Sequence, residues 1–104
     1  MAKWLRFDHQ GKTGFGTLEG ETIKVHSGNM FEGAQATGET LKLGDVKVLT
    51  PTTPTKMVAL WNNFKALAAK LGNPAPTAPL YLLKAPNSFL AHGERIRKPA
   101  SYDG

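Results

Sequence analysis

Alternating apolar and polar residues in the first quarter of the chain predict a β-meander. Glu19 and Gly20 are typical of a short hairpin connection, and the β-branched Ile23 and Val25 favour an extended backbone. The pattern predicts three strands, at residues 4–7, 14–18 and 22–26. We therefore expect an N-terminal sheet with one covered face.

The middle of the chain has weaker periodicity. Residues 27–40 are rich in glycine and polar side chains, and we interpret them as a loop. Residues 41–43 and 46–48 alternate apolar and basic side chains, which predicts another half-buried ladder. Residues 51–55 contain two prolines, which cannot donate regularly to a sheet, so this stretch is interpreted as a linker.

The spacing of apolar residues changes in the second half of the chain. Residues 56–61 form a continuous apolar run, which is typical of a strand buried on both faces. Apolar side chains then recur at helical spacing and predict a short amphipathic helix over about residues 63–71. Asn62 or Asn63 would cap its start, and Gly72 with the prolines that follow would end it. Further short strands are expected at residues 80–84, 89–90 and 95–97.

These elements define an α+β fold with a small β-meander domain, one short helix and further short strands. The expected division is an N-terminal β-rich domain at 1–50, a Pro-rich linker at 51–55 and a strand–helix–strand region at 56–104. The sequence stops on a turn-like tetrapeptide with no closing element, which we interpret as an incomplete second region.

Composition narrows the class of protein. The 104 residues include no cysteine, which excludes disulfides, thiolate zinc sites and cysteine nucleophiles. The N-terminus has no apolar signal region and the longest apolar runs are about five residues, so we expect a cytoplasmic protein with no membrane partner. The net charge is +5, but the cations are mostly spread singly along the chain, and we expect no nucleic-acid partner.

Candidate chemistry is sparse. The eight acidic residues and three histidines share no metal-binding motif, and no serine lies in a nucleophile elbow, so we assign no catalytic and no metal-ligating residue. Lys84 follows an apolar strand and precedes a proline turn, where its ammonium could bind an anion. A solvated surface lysine is the alternative. Arg95, Arg97 and Lys98 form the only basic cluster, and anion or nucleic-acid binding there remains a further hypothesis.

Three segments of the second half resemble the fumarylacetoacetate hydrolase family. They are residues 56–64 (KMVALWNNF), 79–88 (PLYLLKAPNS) and 96–99 (IRKP). The resemblance is close over residues 46–104, and the N-terminal meander fits the small first domain of that family in outline. It implies that the chain stops before the rolled β catalytic core.

The resemblance also implies a chemistry. Members use Mg²⁺, or Mn²⁺ or Ca²⁺, to hydrolyse, decarboxylate or isomerise small keto and diketo acids, with ligands in a Glu-x-Glu arrangement that would follow Gly104 and is absent here. Lys84 and Asn63 would contact substrate. Many members carry a histidine and an acid on the short helix as a water-activating pair, and this chain has Leu67 and Lys70 at those positions. Hydrolysis is therefore more impaired than decarboxylation or isomerisation.

Two hypotheses follow. In the first, the chain is the N-terminal segment of such an enzyme, has no cofactor of its own and is inactive alone. In the second, it is a non-catalytic scaffold or interaction module. That module would form a homodimer, or pair with the missing C-terminal region or another chain carrying the metal ligands, because bare apolar strands favour association.

Overall fold

A computed structural model describes residues 1–103 and confirms the α+β fold, which is mostly antiparallel β-sheet with one short helix. The chain divides into two compact units. Unit 1 comprises Met1–Thr53 and Leu90–Gly104, and unit 2 comprises Pro54–Phe89. The final residue, Gly104, lies outside the described residues, and so does the end of the region that was predicted to be incomplete.

Unit 1 is a five-stranded sheet that contains the predicted meander. Its order is β4-β3-β2-β1-β5, and every pairing is antiparallel. The β1–β2 hairpin turns at Gln10 and Gly11, which both have positive φ as this tight reversal requires. The strands are β1 (Lys3–His9), β2 (Lys12–Glu19), β3 (Thr22–Ser27), β4 (Gln35–Lys42) and β5 (Lys47–Val48).

The core of unit 1 lies on one face of this sheet. Leu5, Phe7 and Ile23 are buried, and Ile23 is fully inaccessible to solvent. Gly14 and Gly16 of β2 make room for them, because a Cβ at Gly14 would meet the Phe7 ring and one at Gly16 would meet the Lys24 carbonyl. Half-buried apolar residues complete the cluster: Leu18, Val25, Leu41, Leu43, Val46 and Val48.

The prediction of a loop over residues 27–40 is wrong for its second half. Strand β4 occupies the edge of the sheet beside β3, and its side chains are exposed except for half-buried Leu41. Because both faces of this edge strand are mostly exposed to solvent, its residues need not alternate between apolar and polar. The hydrophobic pattern therefore does not predict it. The predicted ladder over 41–48 is also interrupted, because Leu43–Asp45 form a 3-10 turn.

Unit 2 consists of strand β6 (Met57–Trp61), helix α1 (Lys65–Lys70) and strand β7 (Leu80–Lys84). The two strands pair antiparallel, with Met57 opposite Lys84 and Trp61 opposite Leu80. The strand positions agree with the sequence pattern. Burial of β6 on both faces was a wrong prediction, because a two-stranded ladder leaves four of its five side chains exposed.

Helix α1 is shorter than predicted, and its capping differs. Phe64 is the N-cap and no side chain caps it, so the expected asparagine cap is wrong. Only Ala68 is buried, so the predicted apolar stripe is mostly exposed within this chain. The glycine end is confirmed: Gly72 has φ +70°, and the amides of Gly72 and Asn73 donate to the carbonyls of Ala69 and Ala68.

The last segment of unit 1 is irregular. In the described part, through Asp103, the expected strands at 89–90 and 95–97 do not form. The segment is held locally instead, since the Glu94 carboxylate accepts from the Ala91 amide and pairs with Lys47 of β5 at 3.3 Å. Among residues 1–103, no helix has the length and apolarity needed to cross a membrane.

Candidate functional site

The candidate site of unit 2 begins at the turn between β6 and α1. Asn62 adopts the left-handed conformation, with φ +53°, a region that asparagine tolerates better than other residues with a Cβ. This conformation reverses the chain sharply between the last strand residue and the helix. It places Asn63 and Phe64 on the surface, immediately before the first helical turn.

A hydrogen bond fastens this turn to the proline-rich loop that follows the helix. Asn62 Nδ2 donates to the carbonyl oxygen of Pro74 at 3.0 Å. Pro74 is brought there by the glycine-ended turn at Gly72, which reverses the chain after Leu71. Asn62 therefore positions both walls of the pocket described next.

The pocket between this turn and the proline-rich loop has a volume of about 460 Å³. Its lining is mostly apolar, with Leu60 and prolines 76 and 79, and it also includes the polar residues Asn63, Lys65 and Tyr81. This size falls within the usual range of small-molecule sites. An asparagine and a lysine that line the same pocket have the donor groups needed to hold a carboxylate.

Lys84 does not share this pocket. It is exposed at the far end of β7, paired with Met57, whereas Asn63 follows the opposite end of β6. Four residue steps along the ladder correspond to roughly 13 Å. Within unit 2, the two predicted substrate-binding residues are therefore separated, and Lys65 is the lysine that accompanies Asn63.

The helix positions that resemble the family's water-activating pair carry no base. Leu67 lies in a smaller recess of about 220 Å³ together with Trp61, Phe64 and Leu71. Lys70 is exposed in the last turn of α1. This recess is lined mainly by apolar side chains, and neither residue is a histidine or carboxylate of the kind that serves as a general base.

The acidic residues and histidines are dispersed. Within the described range, residues 1–103, no three of them come together in a group that could hold a metal ion. The described residues therefore offer no grouped set of the oxygen ligands that Mg²⁺ prefers.

Glu94 is the acid with a distinct electrostatic environment. The Ala91 amide first, and then Lys47, hold the pKa of its carboxyl below the ordinary value of 4.5. The basic cluster of the same segment is exposed, with the Lys98 ammonium 5.6 Å from the centre of the Tyr102 ring. These contacts organise the segment locally.

Comparison with known proteins places this geometry in context. Residues 2–51, just under half of the chain, match a family model described as Rv2993c-like, N-terminal. That match coincides with the meander and the ladder strand of unit 1. No curated protein matches the chain.

Three solved structures share the fold over most of the chain. An uncharacterized protein from Mycobacterium abscessus is 28% identical, with a TM-score of 0.66, over 85% of this chain and 34% of that one. The protein Cg1458 is 26% identical, with a TM-score of 0.66, over 83% and 33% respectively. For 2-hydroxyhepta-2,4-diene-1,7-dioate isomerase from Mycobacterium marinum the values are 22% and 0.68, over 85% and 34%.

These matches show a shared fold, and for residues 2–51 a shared N-terminal family model, without assigning a reaction. The isomerase is similar in fold alone at this level of identity. The chain spans about a third of the length of the solved structures it matches.

Two pocket residues were not predicted from the sequence. Lys65 lies outside the apolar stripe of the helix, and Tyr81 was assigned only to a strand. The signal that could have found them is the strand–Asn–Asn–helix turn followed by a proline-rich loop. Such a turn places the first helical residue, Lys65, next to the proline-rich loop and to Tyr81 of the strand that follows it.

Proposed function

We propose that this chain is the N-terminal part of a fumarylacetoacetate hydrolase-like enzyme acting on small keto or diketo acids. The observation that carries the proposal is the pocket of Asn63, Lys65 and Tyr81 in a fold shared with three much longer chains. The name of one of these describes an isomerase of a seven-carbon dicarboxylate. A ligand of that class carries the carboxylates that an amide and an ammonium would recognise.

In this proposal the residues of the pocket bind and orient the substrate. The Asn63 side-chain amide donates a hydrogen bond to one carboxylate oxygen, and the Lys65 ammonium neutralises the charge. The apolar rim near Leu60 receives the carbon chain of the substrate. Lys84, at the other end of the ladder, would contact a second anionic group and not the same one.

The reaction we favour is isomerisation or decarboxylation. Hydrolysis requires a base that removes a proton from water, and Leu67 and Lys70 cannot supply one. Isomerisation and decarboxylation proceed through an enolate and do not consume a water nucleophile.

The same proposal assigns a divalent metal to the complete protein. Mg²⁺, or Mn²⁺ or Ca²⁺, would polarise the keto oxygen of the substrate when bound. Its ligands would come from residues outside this sequence, because the described residues offer no grouped set of oxygen ligands. The chain alone is therefore expected to be inactive.

A second candidate function is a non-catalytic interaction module. The observation that favours it is one face of the β6–β7 ladder, formed by Val58, Leu60, Tyr81 and Leu83, all of which are exposed. A contiguous apolar surface of this kind favours association. A second copy of the chain, or the remainder of a longer protein, would cover it.

The test is an amide NMR titration of the 104-residue chain with α-ketoglutarate, a stable keto dicarboxylate. We expect shifts at Asn63, Lys65 and Tyr81. Lys65→Gln should weaken binding about fivefold, consistent with the loss of roughly 1 kcal/mol from one exposed charge contact. The matched control is Lys56→Gln, an exposed lysine next to β6 but outside the pocket, which should leave the affinity unchanged.

Light scattering on the same sample separates the two candidates. A keto-acid response from a species of 11.2 kDa supports the enzyme proposal. No response at Asn63 and Lys65, together with a stable dimer, would replace it with the interaction module. Turnover of oxaloacetate by the isolated chain with Mg²⁺ would contradict the assignment of the metal ligands.

A further inference from the structure

Unit 1 contains a second pocket that the proposed function does not use. Its volume is about 400 Å³, and it opens on the core side of the sheet near the β1–β2 turn. The half-buried Val25 and Leu41 provide apolar surface above the buried Phe7, and the strands of unit 1 hold all three. We refer to it as the sheet pocket.

The charged groups of the sheet pocket lie on two different strand pairs. His9 and Lys12 are directly opposite each other in the β1–β2 ladder, which places an imidazole and an ammonium on one side. Glu39 comes from β4, the edge strand. One rim therefore carries a positive charge and another carries a carboxylate.

A β-bulge determines where Glu39 lies. The β3–β4 register shifts between Lys24 and His26, and Gly38 in the extra length of β4 has φ +85°. The Thr37 hydroxyl donates to the Val25 carbonyl at 3.1 Å and accepts from the Glu39 amide at 3.2 Å. Bulges redirect side chains in this way, and the hydroxyl holds the redirected backbone in place.

The opposite charges do not neutralise each other. Across the described residues the ion pairs are Lys24 with Glu19 and Lys47 with Glu94, so neither Lys12 nor Glu39 is engaged. An apolar floor with a cation on one side and a carboxylate on the other is complementary to a zwitterion with an apolar side chain.

We propose that the sheet pocket binds a free amino acid with an apolar side chain. Its carboxylate faces Lys12 and His9, its ammonium faces Glu39, and its side chain rests on the half-buried Val25 and Leu41. A simple carboxylic acid would leave Glu39 uncompensated, and a simple amine would leave Lys12 uncompensated. Because the charged rim is exposed to solvent, the affinity is modest.

The experiment compares three probes of the same shape by amide NMR of the 104-residue chain. L-leucine carries both charges, isocaproate lacks the ammonium, and isoamylamine lacks the carboxylate. We expect L-leucine to shift the amides of Thr13, Gly14 and Val25 and to bind about tenfold more tightly than either analogue. No shift up to the solubility limit, or equal affinity for the three probes, would overturn the proposal.

Charge variants make the test specific. Lys12→Gln should weaken L-leucine about fivefold and leave isoamylamine unchanged, while Glu39→Gln should weaken L-leucine and leave isocaproate unchanged or tighter. Both side chains are exposed, so the variants should fold, and Lys3→Gln at the other end of β1 is the matched control. Equal effects of Lys3→Gln and Lys12→Gln would show only general charge and would contradict the site. These shifts lie in unit 1 and the keto-acid shifts lie in unit 2, so the two proposals fail independently.

Discussion

The two units use their apolar side chains in opposite ways. In unit 1, five strands bury Leu5, Phe7 and Ile23 against one another. In the described residues of unit 2, Ala68 is the one apolar side chain that is buried, while Trp61 and Leu83 are 50% and 72% exposed. Apolar content alone therefore does not produce a core. Whether apolar side chains are buried depends on how many neighbouring strands and helices pack against them.

This difference has an energetic meaning. A two-stranded ladder is marginally stable in water, and a six-residue helix is shorter than isolated helices that persist. Within itself, unit 1 has five strands to stabilise it, whereas the regular elements within unit 2 are β6, β7 and α1. We infer that unit 2 reaches its full stability when another surface covers its apolar side chains.

The largest expected effect is the loss of the core of unit 1. Ile23→Ala should lower the free energy of unfolding of unit 1 by roughly 2–5 kcal/mol, because it removes a fully buried side chain. Leu83→Ala, at an exposed position of unit 2, should change the free energy of unfolding of unit 2 by less than about 0.5 kcal/mol. Urea titrations followed by NMR peaks of each unit measure both. Comparable losses from the two variants would contradict the contrast between the units.

The second effect concerns close packing in β2. Gly16→Ala should cost about 1–3 kcal/mol, because the new Cβ would collide with the backbone carbonyl of Lys24 and crowd Ile23. Gly44→Ala is the control, since nothing lies within 4 Å of its added Cβ. The same urea titration checks the pair. Tolerance of alanine at Gly16 would mean that the core is looser than described.

The third effect tests the turn that positions the pocket of unit 2. Asn62→Ala should destabilise the turn by about 1–2 kcal/mol, because it loses the hydrogen bond to Pro74 and strains a left-handed backbone. Asn62→Gly loses only the hydrogen bond and should cost less. Amide exchange near Asn73 and Lys65 measures the difference. Equal effects of alanine and glycine would show that backbone strain plays no part.

The smallest effect is the pH response of Glu94. Its pKa is lowered in the folded chain, so the stabilisation is complete above about 4.5, the ordinary pKa, and is lost as the pH falls through the lowered value. The Ala91 amide shift, followed from about pH 6 to about pH 3, should move with the protonation of Glu94. Glu94→Gln should abolish that titration. An unchanged Ala91 titration in the variant would assign the effect to another carboxyl group.

The sequence predicted those elements whose side chains meet a core. Strands β1 to β3 place alternate residues against Phe7 and Ile23, so their period of two is visible. Strand β4 is an exposed edge held mainly by backbone pairing, and its composition contains no such signal. The apolar run of β6 located a strand correctly but could not indicate which of its faces a neighbour would cover.

The candidate site was predictable only in part. The asparagines at 62 and 63 mark the strand–helix turn in the sequence, and the structure shows that Asn62 fastens it to Pro74. The antiparallel register of β6 and β7 decides which residues lie near Asn63. It places Lys84 at the opposite end of the ladder and Tyr81 in the same pocket. That register is a property of pairing, and no motif within either strand reveals it.

Hydrogen exchange on the dilute, monomeric 104-residue chain tests the contrast between the units most directly. We predict strong protection of the amides in β1, β2 and β3, and measurable but much weaker protection in β6, α1 and β7. Protection of unit 2 equal to that of unit 1 in the monomer would contradict the account. It would mean that unit 2 is stable without any surface to cover its exposed apolar side chains.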